Sequence, residues 1–150
     1  MLAERPELAR RIADGGHELG SHSWDHSHFD GRHARAWTQL MRTWLAIRRV
    51  AGSAPRWHRP PYADWTPGLG RIAAIAGMGT VTWDVDPRDW EVRDAGVVAR
   101  RVLAEVLPGS VVLLHDSGAG IAARALPDIL TGLRERGLTA LTVSELLAAT

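Results

Sequence analysis

The stretch GHELGSHSWDH, residues 16 to 26, decides how the rest of the chain is read. His17 to Ser21 has the look of a short strand, and it runs directly into His22 and His26, two histidines four residues apart. Two imidazoles at that spacing can share one metal ion, and such an ion needs at least a third protein ligand. Upstream, Pro6 to Asp14 reads as a helix, with Pro6 near its start and Gly15 and Gly16 closing it. The unit is therefore helix, strand, then a polar cluster at the strand's carboxyl end.

The same alternation continues outward. His33 to Ala51 sets Trp37, Leu40, Met41, Trp44 and Ala51 at helical spacing, with both tryptophans assigned to packing and Gly52 as the stop. Arg56 to His58 is a brief strand. Thr66 and Pro67 open a helix that carries Leu69, Ile72, Ala73 and Ala76 toward Gly77, and Thr80 to Val85 is strand-like. Asp94 caps a helix reaching about Leu107, Ser110 to Leu114 is a buried strand, and Leu126 to Arg136 is helical up to Gly137. Leu138 to Leu141 reads as a last strand, and Thr142 with Glu145 has the spacing of a capping box. Alternation of this kind predicts parallel strands joined by helical crossovers, in a doubly wound sheet or a (β/α) barrel.

Four polar clusters follow the four interior strands: HSWDH, then RPPY (Arg59 to Tyr62), DPRDW (Asp86 to Trp90) and HD (His115, Asp116). Parallel β/α folds build their sites at that edge from separate loops, so the placement predicts one convergent site. Taken singly, each cluster has a plainer reading. The histidines fit a solvated loop, RPPY a rigid turn, DPRDW a surface turn under Trp90, and HD a cap for the next helix. His17, His28, His33 and His58 are read as surface or locally bonded residues, with His28 in reserve as a ligand.

With 150 residues and 45% hydrophobic content the chain can bury one real core, which favours a single domain spanning 1–150. Its 18 basic residues, all arginine, balance 17 acidic ones to a net charge of +1, so no electrostatic case for nucleic acid arises. The absence of cysteine excludes disulfides, thiolate metal sites and cysteine nucleophiles. No apolar run approaches the roughly 20 residues of a membrane span, and Met1 leads into LAERPELARR, which does not read as a signal peptide.

In order, GHELGSHSWDH, RPPY, WDVDPRDW, LLHD and TVSELL resemble the polysaccharide deacetylases, the NodB-homology carbohydrate esterases, from about residue 6 to 148. The resemblance implies an α/β fold, a distorted (β/α) barrel. It implies a metal-dependent hydrolase that removes acetyl groups from N-acetylglucosamine polymers such as peptidoglycan or chitin, acting in the cell envelope or outside the cell. It makes His22 and His26 metal ligands, most simply for Zn2+, with Ser23 bracing their loop. Arg59 takes the part of the arginine that orients a catalytic carboxylate, and the Tyr62 amide that of the oxyanion donor. His115 takes that of the general acid, with Asp89 holding its tautomer, and Trp90 and Leu113 those of the acetyl-pocket walls.

The family's first strand ends in Thr-Phe-Asp-Asp-Gly, which supplies a catalytic base and the third metal ligand, and no such segment stands in these 150 residues. The barrels of this type run to roughly 200–250 residues, so the expectation is a domain truncated at its N-terminus, lacking its first strand or strands. Asp25, Asp30 and His28 are the residues that could substitute for the missing ligand. An open barrel edge would favour self-association. The same residues also fit a catalytically inactive glycan- or metal-binding fragment.

Overall fold

The computed structural model describes residues 5–29, 32–116 and 120–149. They belong to two compact units, Met1–Thr82 and Trp83–Thr150. The first contains α1 (Pro6–Asp14), α2 (His33–Ala51), β1 (Trp57–His58), a 3-10 turn (Pro61–Ala63), α3 (Pro67–Ile75) and β2 (Gly79–Thr80). Strands β1 and β2 are parallel, with Trp57 opposite Gly79 and His58 opposite Thr80. The close approach is possible because residue 79 is glycine: a Cβ there would lie 2.4 Å from the Trp57 ring.

The strand expected over His17–Ser21 contracts to a single parallel bridge from Ser21 to His58. The chain leaves the extended conformation two residues later, where Ser23 adopts φ 65, and pairing stops there. Helix α2 ends as expected, at left-handed Gly52 (φ 73), whose N–H returns to the Arg48 carbonyl. Its buried face is Ala36, Gln39, Leu40, Thr43 and Ile47. Trp37 falls one position off that stripe and is 41% exposed, contrary to its assignment to packing. Trp44 does pack, against a core of Phe29, Ala36, Leu40, Leu69, Ala73 and Met78 that joins α2 to α3. Full burial of Leu40 alone contributes about 1.5–3 kcal/mol.

His58 corrects a second expectation. It is fully buried rather than at the surface, and neither of its ring nitrogens has a hydrogen-bond partner among the described residues. Its register neighbours Ser21 and Thr80 have buried hydroxyls in the same condition. Burial, and secondarily the nearby His22, lowers the His58 pKa from 6.5 to about 4.

The second unit holds α4 (Ala95–Glu105), α5 (Ile121–Glu135) and α6 (Val143–Ala148). Asp94 caps α4 by accepting from the Gly96 N–H at 2.8 Å, and Thr142 with Glu145 forms the expected capping box on α6. The core is built by α4 and α5, through Val98, Ala99, Val102, Ala125, Ile129 and Leu133, together with Val85. Helix α5 begins five residues before the expected Leu126 and accommodates Pro127 in its interior. Ala123 and Pro127 both face solvent, so the carbonyl that loses its helical donor lies on the exposed side.

The strands here are shorter than the sequence suggests. The run Thr80 to Val85 divides: Thr80 pairs in the first unit, while Val85 makes one parallel bridge to Val112 in the second. Ser110 to Leu114 contributes that single bridge. Leu138 to Leu141 is not a strand, because the Leu138 N–H turns back to the Leu133 carbonyl at 2.9 Å to close α5. No helix among the described residues is long and apolar enough to cross a membrane.

Candidate active site

The histidine loop of the first unit is held in an unfavourable backbone shape. Ser23 (φ 65) and His26 (φ 58) are both left-handed without being glycine, at a cost of order 1–3 kcal/mol each. The surroundings offset it. Ser23 Oγ accepts from the His26 N–H at 3.0 Å, which is the bracing expected of Ser23. Gln39 Oε1 accepts from the N–H groups of Trp24 (2.8 Å) and Asp25 (3.1 Å), and Gln39 Nε2 donates to Asp25 Oδ2 at 2.7 Å. Sequence reading missed Gln39. Its signal was a lone amide on the apolar stripe of α2, between Ala36 and Thr43.

The rings of His22 and His26 meet edge to face, with centroids 4.8 Å apart. His22 Nδ1 lies 2.6 Å from the Arg59 carbonyl, which can only accept, so the proton sits on Nδ1 and the lone pair on Nε2. A metal-ligating imidazole is commonly oriented by just such a carbonyl. As a donor set, two adjacent imidazoles with one tautomer fixed suit a divalent ion as two of its ligands. No group of three such donors occurs among the described residues. Asp25 is turned to Gln39 and Ser27, and the Ser27 hydrogen bonds hold its pKa below the usual value. His28 Nδ1 pairs with Asp64 Oδ2 at 2.6 Å, and its ring stacks on Tyr62 at 3.9 Å. Asp30 lies outside the described residues.

RPPY is more than a rigid turn. Pro60 and Pro61 are buried, and the chain then passes through left-handed Tyr62 (φ 54) and Ala63 (φ 57). The Tyr62 ring, 58% exposed, touches His26 edge-on at 4.8 Å. Arg59 is half-buried, and desolvation lowers its pKa from the ordinary arginine value. The first unit thus brings His22, His26, Arg59 and Tyr62 together.

In the second unit, Asp89 is buried and engages His115 twice. Asp89 Oδ2 accepts from the His115 backbone N–H at 2.9 Å, and Oδ1 lies 2.8 Å from the ring Nδ1. An ionised carboxylate fixes the proton on Nδ1 and leaves Nε2 for chemistry. The DPRDW loop is itself fastened: Asp86 Oδ1 accepts from the Arg88 N–H at 2.9 Å, and Arg101 of α4 donates to the Pro87 carbonyl at 2.9 Å. Arg101 escaped sequence reading, because nothing in helical spacing distinguishes it from Arg100. Trp90 is 59% exposed, with the Arg88 guanidinium 5.2 Å from its ring centroid. Leu113 is buried, its N–H donating to the Val85 carbonyl at 2.9 Å. Asp116 is exposed and does not cap α5, whose N-cap is Gly120.

The family model described as polysaccharide deacetylase matches residues 1–81. The chain belongs to the polysaccharide deacetylase family. A peptidoglycan-N-acetylglucosamine deacetylase of Listeria monocytogenes is 35% identical over 97% of this chain and 30% of its own length. A chitooligosaccharide deacetylase of Rhizobium leguminosarum bv. phaseoli is 34% identical over 95% of this chain and 69% of its own. Among solved structures, wild-type BA3943 of Bacillus anthracis, described as a family 4 carbohydrate esterase pseudoenzyme, aligns with TM-score 0.90 at 30% identity, covering 97% of this chain and 52% of that one. The fold class is accordingly α/β, a part of the (β/α) barrel type of the polysaccharide deacetylases, and the chain spans about half of the solved relative. The family-model match ends almost where the first unit does, so the Asp89–His115 pair lies beyond it.

Proposed function

We propose that the chain is part of a metal-dependent hydrolase domain that removes N-acetyl groups from N-acetylglucosamine-containing polysaccharide, peptidoglycan or chitin-like, at the cell envelope or outside the cell. The observation that carries this reading is the His22–His26 pair, set in a strained loop with the His22 tautomer fixed by the Arg59 carbonyl. A bound Zn2+ would polarise the amide carbonyl and lower the pKa of a coordinated water. The Tyr62 N–H serves as donor to the oxygen on which negative charge gathers, and the Arg59 guanidinium orients the family's catalytic carboxylate. His115 protonates the departing sugar amine through Nε2 as the carbon–nitrogen bond breaks, and the water oxygen leaves in acetate. Asp89 keeps the His115 ring in the tautomer and orientation that this transfer needs. Trp90 and Leu113 serve the acetyl methyl group.

The alternative is a glycan- or metal-binding fragment without catalysis. The two separate in one assay of acetate released from an N-acetylglucosamine tetramer with Zn2+ present. Zinc-dependent release that disappears in His22→Ala supports the hydrolase. Tetramer binding with no acetate released establishes the alternative instead.

A further inference from the structure

Beside the histidine loop lies a groove of about 560 Å3, within the roughly 300–1,000 Å3 usual for small-ligand clefts, built wholly from the first unit. Its floor is apolar, formed by Phe29, Ala36 and Leu69, and its rim carries Trp65, Asp64 and His28. Trp65 is 51% exposed, an indole face left in water beside an apolar floor. Helix α3 accommodates the rings lining the groove: its opening PGLG puts glycine where a Cβ would lie 2.6 Å from the His33 ring, and glycine again where one would lie 3.5 Å from the Trp65 indole. Two glycines in the first turns weaken a helix, and their bare faces give these rings room.

The chemistry of the groove selects its occupant. An exposed indole over an apolar floor suits a flat ligand with a hydrocarbon face. The Asp64 carboxylate, with 31% of its side chain accessible, and the 64% accessible His28 suit a ligand edge rich in hydroxyls, and the carboxylate repels anions. A pyranose ring has both features. The groove also neighbours the candidate active site, because the Tyr62 ring touches His26 on one contact and stacks on His28 of the rim on another. We infer that this groove is a subsite for a further sugar residue of the same glycan, its face on Trp65 and its hydroxyl edge on Asp64 and His28. The inference rests on the proposed glycan substrate and assigns the recognition of chain length to residues 28, 64 and 65.

The test compares binding of N-acetylglucosamine and its tetramer to the 150-residue chain by ligand-observed NMR. The wild-type chain binds the tetramer more tightly. Trp65→Ala weakens the tetramer by up to about tenfold while leaving the monomer unchanged, Trp65→Tyr restores most of the difference, and Trp37→Ala, outside the groove, changes neither. Equal tetramer affinity in Trp65→Ala overturns the inference, and so does a wild-type chain that fails to prefer the tetramer. Acetate release is scored separately. Tetramer binding that depends on Trp65 without acetate release leaves the subsite standing and removes only the hydrolase reading. Release that is indifferent to Trp65 and to chain length does the reverse.

Discussion

At the scale of single residues, the paired contacts of His115 separate two kinds of failure. His115→Ala is expected to abolish acetate release while leaving zinc uptake at the wild-type level; loss of zinc, measured by elemental analysis after gel filtration, would contradict the assigned roles. His58 gives a pH prediction with a definite sign. Its folded pKa of about 4 lies below the unfolded value of 6.5, so below pH 6.5 the unfolded chain binds a proton that the folded chain refuses. Stability therefore rises between about pH 4 and 6.5, by on the order of 3 kcal/mol, and this contribution is constant outside that window. Urea unfolding across this range should show the slope, and His58→Leu should flatten it. The carboxylates of Asp25 and Asp84, whose pKa values are lowered chiefly by serine hydrogen bonds, act in a separate window: their contribution is full above the ordinary carboxylate pKa and is lost on acidification below it.

At the scale of elements, helices were largely legible, whereas strand extents were not, the brief strand at Arg56 to His58 apart. The limits of α1 and α2 follow directly from Pro6, Gly15 and Gly52, because start and stop signals are local. Strand length depends on where a partner runs. Nothing in Thr80 to Val85 reveals that Thr80 and Val85 pair in different units, and nothing in Leu138 shows that its N–H closes α5. The start of α5 lies five residues before the expected Leu126, and Pro127 is an interior residue of the helix. Because that proline removes a helical hydrogen bond on an exposed face, Pro127→Ala should raise the unfolding free energy by about 1 kcal/mol or more, as an upward shift in Tm. Gln39→Ala should act in the opposite direction. Losing the acceptor for the Trp24 and Asp25 N–H groups would release the strained loop, at a cost of roughly 1–3 kcal/mol and with reduced protection of those amides in hydrogen exchange.

At the scale of the molecule, the order of the four clusters carried the family, and the family carried the site. Their composition alone did not. Histidine pairs and proline turns are common, and only their succession along alternating elements made the resemblance specific. What succession could not show was the local support: Gln39 and Arg101 act through contacts 15 and 14 residues away, with no mark in the surrounding sequence beyond an amide on an apolar face. Zinc calorimetry on the whole chain is expected to show binding that His22→Ala weakens at least about tenfold and that acid abolishes as the imidazoles protonate. Unchanged affinity in that variant would mean that the ion is held elsewhere.

One tie between His22 and position 59 runs through the main-chain carbonyl. Main-chain atoms are present whatever amino acid the codon specifies, so a substitution at Arg59 can erase the side chain's task and still leave the His22 proton on Nδ1. Position 59 therefore holds two separable assignments, one heritable through the side chain and one through the path of the backbone. A conventional alanine survey registers only the first. The second becomes visible only when the turn itself is redirected, for instance by replacing Pro60 or Pro61.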